Sequence, residues 1–140
     1  MLVNEIMSKE VVCVNTVDSV LTTAKLMKEY NIGVIPVVED KNKVLGLITD
    51  RDIVLWLAEH EEFGIRAEAK ELMSQNVYSV KPDADITDAI ELMKKMQIRR
   101  LPVLEEDKLV GMLSIGDIAV HLDNKIEISE AITEISMPQK

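Results

Sequence analysis

The chain has 140 residues, of which 47% are hydrophobic and 29% are charged, and its formal net charge is -9. This composition predicts a soluble globular protein and argues against a largely disordered chain. The acidic balance argues against nucleic-acid binding through a broad basic surface, and no apolar run approaches the roughly 18 residues of a membrane span. Because the N-terminus lacks a signal-peptide pattern and Cys13 is the one cysteine, we expect a cytoplasmic protein.

The first sixty residues predict the element order β-α-β-β-α. A short extended piece at residues 11–14 leads into an amphipathic helix that begins near Ser19 and whose apolar residues share one face. A β-hairpin follows, with strands at residues 34–39 and 44–49, and a second helix covers about residues 52–60.

The second half repeats this pattern, with an extended piece at residues 77–80 and an amphipathic helix that begins near Asp85 and whose buried face includes Ile90 and Met93. Met7 aligns with Met73 and Pro36 with Pro102 at an offset of 66 residues, and one residue is lost before Gly46 aligns with Gly111. A three-stranded unit of this size cannot bury its sheet and helices alone, so we expect the two copies to pack across a pseudo-twofold axis. The predicted fold class is therefore α+β, with two tandem β-α-β-β-α repeats, each a three-stranded sheet flanked by helices.

The repeat also predicts the domain boundaries. We place the first repeat at residues 1–62, a connector at 63–70, the second repeat at 71–123 and a C-terminal helical tail at 124–140, with its helix starting near Ser129.

A Gly-x-x-[Thr/Ser]-x-x-Asp motif ends the hairpin of each copy. Thr49 and Asp52 carry its polar groups in the first copy, and Ser114 and Asp117 carry them in the second. A hydroxyl, backbone N–H groups and a carboxylate at one helix start form a plausible cradle for the phosphate and ribose of a nucleotide. The same spacing is also a capping-box pattern, which serves the helix alone, and the two roles can coexist.

Other candidate sites are weaker. His60 and His121 lie near helix ends, where a contact with the helix dipole is a better interpretation than metal binding. No cysteine or further histidine stands at zinc-ligand spacing, and no catalytic constellation can be argued from spacing. We therefore predict no metal site, no catalytic residues and no enzymatic activity.

The second helix of the first copy is apolar all round, which indicates burial on more than one side. The simplest second side is another subunit. The sequence therefore predicts a homodimer through the second helices, with these contact residues: Ile53, Val54, Trp56, Leu57 and Ile118.

The repeated motif, together with Ile-Gly-Val-Ile-Pro-Val-Val or Ile-Arg-Arg-Leu-Pro-Val-Leu before each hairpin, resembles a pair of CBS domains, called a Bateman module. The resemblance covers about residues 2–123 and is typical of a stand-alone prokaryotic CBS protein. It implies a regulatory sensor that binds AMP, ADP, ATP or S-adenosylmethionine in two clefts between the copies and has no chemistry or catalytic cofactor of its own. An unidentified protein partner would receive the signal.

The resemblance also implies the role of each site residue. Asp52 and Asp117 would bind the ribose hydroxyls, and Thr49 and Ser114 would contact phosphate. The other implied contacts are the base-pocket residues Leu47 and Met112; Ser8, Cys13, Ile32 and Gly33 for the Asp117 site; and Ser74, Ser79, Ile98 and Arg99 for the Asp52 site.

Two of the chain's four arginines, Arg99 and Arg100, are adjacent where family members often place basic residues against phosphate. Since the first copy has Gly33 and Val34 there, we expect the Asp117 site to bind phosphate more strongly and leave the occupancy of the Asp52 site open. Two alternatives remain: an S-adenosylmethionine-type ligand, against which the arginine pair argues mildly, and a ligand-free structural dimerisation module.

Overall fold

A computed structural model describes residues 1–138, which separate into two compact units. The inner unit is Val12–Val77, and the outer unit combines Met1–Val11 with the chain from Tyr78 onwards. Within the described residues there are five strands and six α-helices. This mixture confirms the predicted α+β class. No helix among residues 1–138 is long and apolar enough to span a membrane.

The inner unit contains a three-stranded sheet, as predicted for a single repeat. Its elements in chain order are β1 (Val14–Asn15), α1 (Val20–Tyr30), β2 (Val34–Glu39), β3 (Lys43–Thr49), α2 (Asp50–His60), a 3₁₀ segment (Glu61–Arg66) and α3 (Ala69–Leu72). Strand β1 runs parallel to β2, and β2 pairs antiparallel with β3, with Val34 opposite Thr49. Fully buried Ile35, Val37 and Ile48 form the centre of its core.

The outer unit repeats the hairpin and both helices. After a 3₁₀ turn at Val3–Glu5, its elements are α4 (Ile86–Met96), β4 (Arg100–Glu105), β5 (Lys108–Ser114), α5 (Ile115–His121) and α6 (Lys125–Ser136). Strands β4 and β5 are antiparallel, with Arg100 opposite Ser114. Helix α6 packs through Ile128 and Ala131 into the hydrophobic core that α4, β4, β5 and α5 form.

Polar caps explain where the amphipathic helices begin. The Ser19 hydroxyl accepts a hydrogen bond from the Thr22 amide at the start of α1, and the Asp85 carboxylate accepts one from the Thr87 amide at α4. Both helices end in a left-handed residue, Asn31 or Gln97. These starts confirm the cap residues that the sequence predicted.

Two predicted elements differ in extent. The extended piece at residues 77–80 forms a single parallel bridge between Val80 and Val103 rather than a strand, so the described residues of the outer unit include no full third strand. The tail helix begins at Lys125 rather than near Ser129, because the Asn124 side chain caps it by accepting from the Glu127 amide. The last two residues of the predicted 124–140 tail lie outside the described residues.

The first residues of each predicted repeat belong to the compact unit that contains the rest of the other repeat. In the outer unit, the Val3 amide donates to Ala84 O at 2.9 Å and the Val3 side chain is fully buried. In the inner unit, Ser74 and Leu47 exchange two backbone hydrogen bonds of 2.8 and 3.0 Å. The compact units therefore differ from the sequence repeats by an exchange of these short leading segments.

Candidate functional site

The Thr49–Asp52 motif of the inner unit forms a reciprocal cap at the start of α2. The Thr49 hydroxyl accepts from the Asp52 amide at 3.1 Å, and the Thr49 amide donates to Asp52 Oδ2 at 2.8 Å. Both side chains are half-buried. The capping role that the spacing also predicts is therefore present.

The Ser114–Asp117 motif of the outer unit has the same geometry at the start of α5. The Ser114 hydroxyl accepts from the Asp117 amide at 3.0 Å, and the Ser114 amide donates to Asp117 Oδ2 at 2.9 Å. Each cap uses a single oxygen of its carboxylate. Within residues 1–138, Oδ1 of Asp52 and Oδ1 of Asp117 have no hydrogen-bond partner. Each can therefore accept a hydrogen bond from an added hydroxyl group.

A short extended segment pairs with the motif strand in each unit. Ser8 and Met112 exchange backbone hydrogen bonds of 2.8 and 2.9 Å, and Ser74 and Leu47 do the same in the inner unit. Gly111 makes the close approach possible, because a Cβ there would lie 2.9 Å from Ser8 O. Exposed Ser8 and Ser74 are thus placed beside the two predicted base-pocket residues.

The residue before each hairpin contacts the start of the following helix. Gly33 O accepts from the Asp50 amide at 3.0 Å, and Arg99 O accepts from the Ile115 amide at 2.8 Å. Arg99 and Arg100 are exposed, and neither forms an ion pair within the described part of the chain. The two guanidinium groups thus lie in the same unit as Ser114 and Asp117, and the backbone of Arg100 faces Ser114 across the hairpin.

The remaining predicted residues are distributed over both units. Ile32 and half-buried Cys13 belong to the inner unit, whereas Ser79 and Ile98 belong to the outer unit. Burial raises the pKa of the Cys13 thiol above its ordinary value, and the negative charge of Asp18 adds to this shift. Cys13 is therefore better suited to packing than to nucleophilic chemistry.

Both histidines make contacts at helix ends. The His60 ring stacks on Trp56 at 3.6 Å between ring centroids, and its Nδ1 lies 2.9 Å from Trp56 O. His121 Nδ1 lies 2.9 Å from Asp117 O. Among residues 1–138, no group of three or more His, Cys, Asp or Glu side chains is placed to hold a metal ion.

The predicted partner surface needs one correction. Ile53 is 6% exposed and Ile118 is 0% exposed, so both belong to the cores of their own units and are not available to a partner. Ile53 lies on the buried face of α2 and Ile118 on the buried face of α5. A run of apolar residues does not indicate which face of a helix is buried. Val54, in contrast, is 65% exposed, and Trp56 and Leu57 are partly exposed.

Sequence reasoning missed one polar residue beside the motif. The Asp50 carboxylate lies over Gly33, where a Cβ would be 3.1 Å from Asp50 Oδ2. Its counterpart in the second repeat is Ile115, and this difference between otherwise matching motifs was the available signal.

Comparison with known proteins gives the family. The CBS domain model matches residues 3–59 and 69–124. CBS domain-containing protein YhcV of Bacillus subtilis (strain 168) is 37% identical over 134 residues, which cover 96% of this chain and 94% of that protein.

Two crystal structures have similar folds. Hypoxic Response Protein I, solved with two coordinated zinc ions, has a TM-score of 0.79 and 34% identity, covering 87% of this chain and 99% of that one. The CBS domain pair of protein MJ0100, solved with 5′-methylthioadenosine and S-adenosyl-L-methionine, has a TM-score of 0.77 and 28% identity, covering 86% and 98%. The chain therefore belongs to the CBS domain family, as a tandem pair of CBS domains that forms a regulatory module.

Proposed function

We propose that this CBS pair is a sensor of adenine nucleotides that reports their binding to a partner protein in the cytoplasm and catalyses no reaction. One observation carries the proposal. Asp117 keeps an unpaired carboxylate oxygen beside the Ser114 hydroxyl at the start of α5, and Arg99 and Arg100, at the start of the preceding hairpin, have no ion-pair partner in residues 1–138.

Each part of the nucleotide has a chemically suited partner in the outer unit. Asp117 Oδ1 would accept from a ribose hydroxyl, and the Ser114 hydroxyl would donate to a phosphate oxygen. The resemblance assigns Arg99 to the Asp52 site, but Arg99 and Arg100 belong to the same unit as Asp117. Their planar forks can each bind two phosphate oxygens at once, and we assign both to the Asp117 site. Half-buried Met112 offers an apolar surface to the base.

Calorimetric titration with AMP, ADP, ATP and S-adenosylmethionine tests this proposal. Asp117→Asn keeps an acceptor oxygen for the cap but removes the charge, so nucleotide affinity should fall about 10- to 100-fold. Asp107→Asn, in the turn at the opposite end of the same hairpin, is the matched control and should bind as the wild type does. Failure of all four compounds to bind nucleotide-free protein would favour a structural dimerisation module.

An S-adenosylmethionine-type ligand is the second candidate. It is supported by the MJ0100 domain pair, whose structure contains 5′-methylthioadenosine and S-adenosyl-L-methionine. The sulfonium group would gain nothing from Arg99 and Arg100. Replacement of both arginines by glutamine should therefore weaken AMP binding and leave S-adenosylmethionine binding unchanged or improved.

A homodimer through the second helices is part of the proposal. Val54 carries the argument, since a side chain 65% exposed on α2 would be covered by a partner. Light scattering should give twice the 15.8 kDa chain mass for the wild type and the monomer mass for Val54→Glu. Val17→Glu changes a similarly exposed valine, at 62%, on the loop before α1 and should remain dimeric.

Helix α6 is a suitable output element because both of its ends contact elements next to the motif. Lys125 Nζ donates to Ala119 O at 2.9 Å near the end of α5, and the Gln97 side chain donates to Met137 O at 2.8 Å. Gln97 stands two residues before Arg99, whose carbonyl accepts from the first amide of α5.

Hydrogen exchange tests this output route. AMP should slow amide exchange in α6 of the wild type but not in Gln97→Gly, which removes the side-chain contacts and tolerates the left-handed backbone at this position. Equal exchange in α6 with and without bound AMP would exclude the helix as the output.

A further inference from the structure

The first turn of α2 contains a negatively charged side chain, the carboxylate of Asp50. Asp50 Oδ1 accepts from the Arg51 amide at 2.8 Å, and the other oxygen of the same carboxylate lies over Gly33. The Asp50 amide donates to Gly33 O and the Asp52 amide to the Thr49 hydroxyl. The first three helix amides are therefore all engaged within the protein.

The outer unit differs at each of these positions. Ile115, 9% exposed, replaces Asp50, and Arg99 replaces Gly33. The Gly116 amide, which corresponds to that of Arg51, has no hydrogen-bond partner within residues 1–138. The inner motif thus has an additional carboxylate and no free amide among its first three, whereas within the described residues the outer motif has a free amide and no such carboxylate. The hydroxyl and the capping carboxylate have the same geometry in both.

We infer that Asp50 is a specificity-determining residue, which makes the Thr49–Asp52 motif select adenosine compounds without a phosphate, those with a neutral or cationic 5′ group. The inference rests on the proposed function and deepens it by assigning different ligand classes to the two motifs. Asp52 Oδ1 remains available to a ribose hydroxyl in both classes.

The physical reason is that the Asp50 carboxylate already accepts a hydrogen bond at the helix start, where a phosphate group would need free amides. The carboxylate uses the Arg51 amide, and its negative charge repels a second anion near the same helix start while attracting a sulfonium. Two unit charges about 6 Å apart at such a partly exposed site change an equilibrium by roughly tenfold at low ionic strength. Gly33 contributes to this arrangement, because a side chain at that position would crowd the Asp50 carboxylate.

The five glycines allow each motif to be observed separately in one protein. In a sample labelled with [15N]glycine, the Gly33 amide reports on the inner motif and the Gly116 amide on the outer motif. The protein is titrated with AMP, adenosine and S-adenosylmethionine at low salt. The variant is Asp50→Asn, which keeps the acceptor oxygen, and the control is Asp40→Asn in the turn at the far end of the β2–β3 hairpin.

In the wild type, adenosine and S-adenosylmethionine should shift the Gly33 signal at lower concentrations than AMP does. Asp50→Asn should lower the AMP midpoint at Gly33 about tenfold and change the adenosine midpoint less than twofold, with Asp40→Asn unchanged. An AMP midpoint in Asp50→Asn equal to that of Asp40→Asn would overturn the inference, as would a Gly33 signal that no compound moves while AMP shifts Gly116. If none of the compounds moves either signal in any protein, the proposed function fails as well.

Discussion

Replacement of Gly111 by alanine should destabilise the protein by displacing the Ser8 segment from β5. A Cβ at this position would lie 2.5 Å from Met7 Sδ and 2.9 Å from Ser8 O. The flexible end of the Met7 side chain can move away. Ser8 O cannot, because it accepts a hydrogen bond from the Met112 amide at 2.9 Å and the Ser8 amide donates to Met112 O at 2.8 Å. The new methyl group therefore forces the Ser8 segment away from β5.

The magnitude follows from the contacts that are lost. Two backbone hydrogen bonds contribute about 0.5–1.5 kcal/mol each, and overpacking adds about 1–3 kcal/mol when the neighbours cannot yield. The unfolded chain loses entropy on the change from glycine to alanine, which offsets about 0.4–1 kcal/mol. We expect a net loss of about 1–5 kcal/mol in the free energy of unfolding, with a central value of about 3 kcal/mol.

Urea unfolding followed by circular dichroism measures this difference. Gly116→Ala is the matched control, because its added Cβ has Ser114 Oγ at 3.5 Å as its nearest neighbour and the position is helical. That variant should be as stable as the wild type or more stable by up to about 1 kcal/mol. Equal stability of Gly111→Ala and Gly116→Ala would refute the assignment of the Ser8 segment to β5.

Three further perturbations test local features. Thr49→Ala should lower stability by about 1 kcal/mol and Thr49→Ser by less, measured by urea unfolding, because serine keeps the cap at α2; equal losses would argue against the cap. Cys13 should be alkylated more slowly at pH 8 than an unhindered thiol, and Asp18→Asn should speed the reaction because it removes one of the two causes that raise the thiol pKa. The hydrogen bond from the Thr87 amide lowers the pKa of Asp85 in the folded state, so its contribution to stability is present above about pH 4 and is lost as the pH falls. Thermal melting should therefore show a weaker acid dependence below pH 4 for Asp85→Asn, and an unchanged acid dependence would contradict this assignment.

Local features of the fold could be predicted from the sequence. Ser19 and Asp85 were identified as helix starts because a cap residue acts on amides within its own first turn. The buried face of α4 followed from apolar spacing, and Ile90 and Met93 are indeed fully buried.

Features that depend on distant contacts could not be predicted in the same way. The pairing of Ser8 with Met112 joins residues far apart in the chain, and no local pattern indicates it. The burial of Ile53 beside exposed Val54 depends on which face of α2 meets the sheet, and a helix with apolar residues all round does not indicate that face.

The motifs themselves were found from their repetition, but the sequence pattern did not separate capping from binding. The structure shows the caps at Thr49 and Ser114 and an unpaired carboxylate oxygen at each motif within residues 1–138. The ligand roles of the two motifs remain predictions. The Asp50 carboxylate lies over Gly33 because β2 and β3 are antiparallel, so that the residue before β2 meets the first residue of α2. This contact depends on the strand pairing and not on a local sequence pattern.

A crystal structure of the protein with saturating AMP tests the central claim most directly. The account predicts a ribose hydroxyl within hydrogen-bond distance of Asp117 Oδ1 and a phosphate group near the Ser114 hydroxyl and the guanidinium of Arg99 or Arg100. AMP bound elsewhere, or a Ser114–Asp117 motif without ligand at saturation, would contradict it.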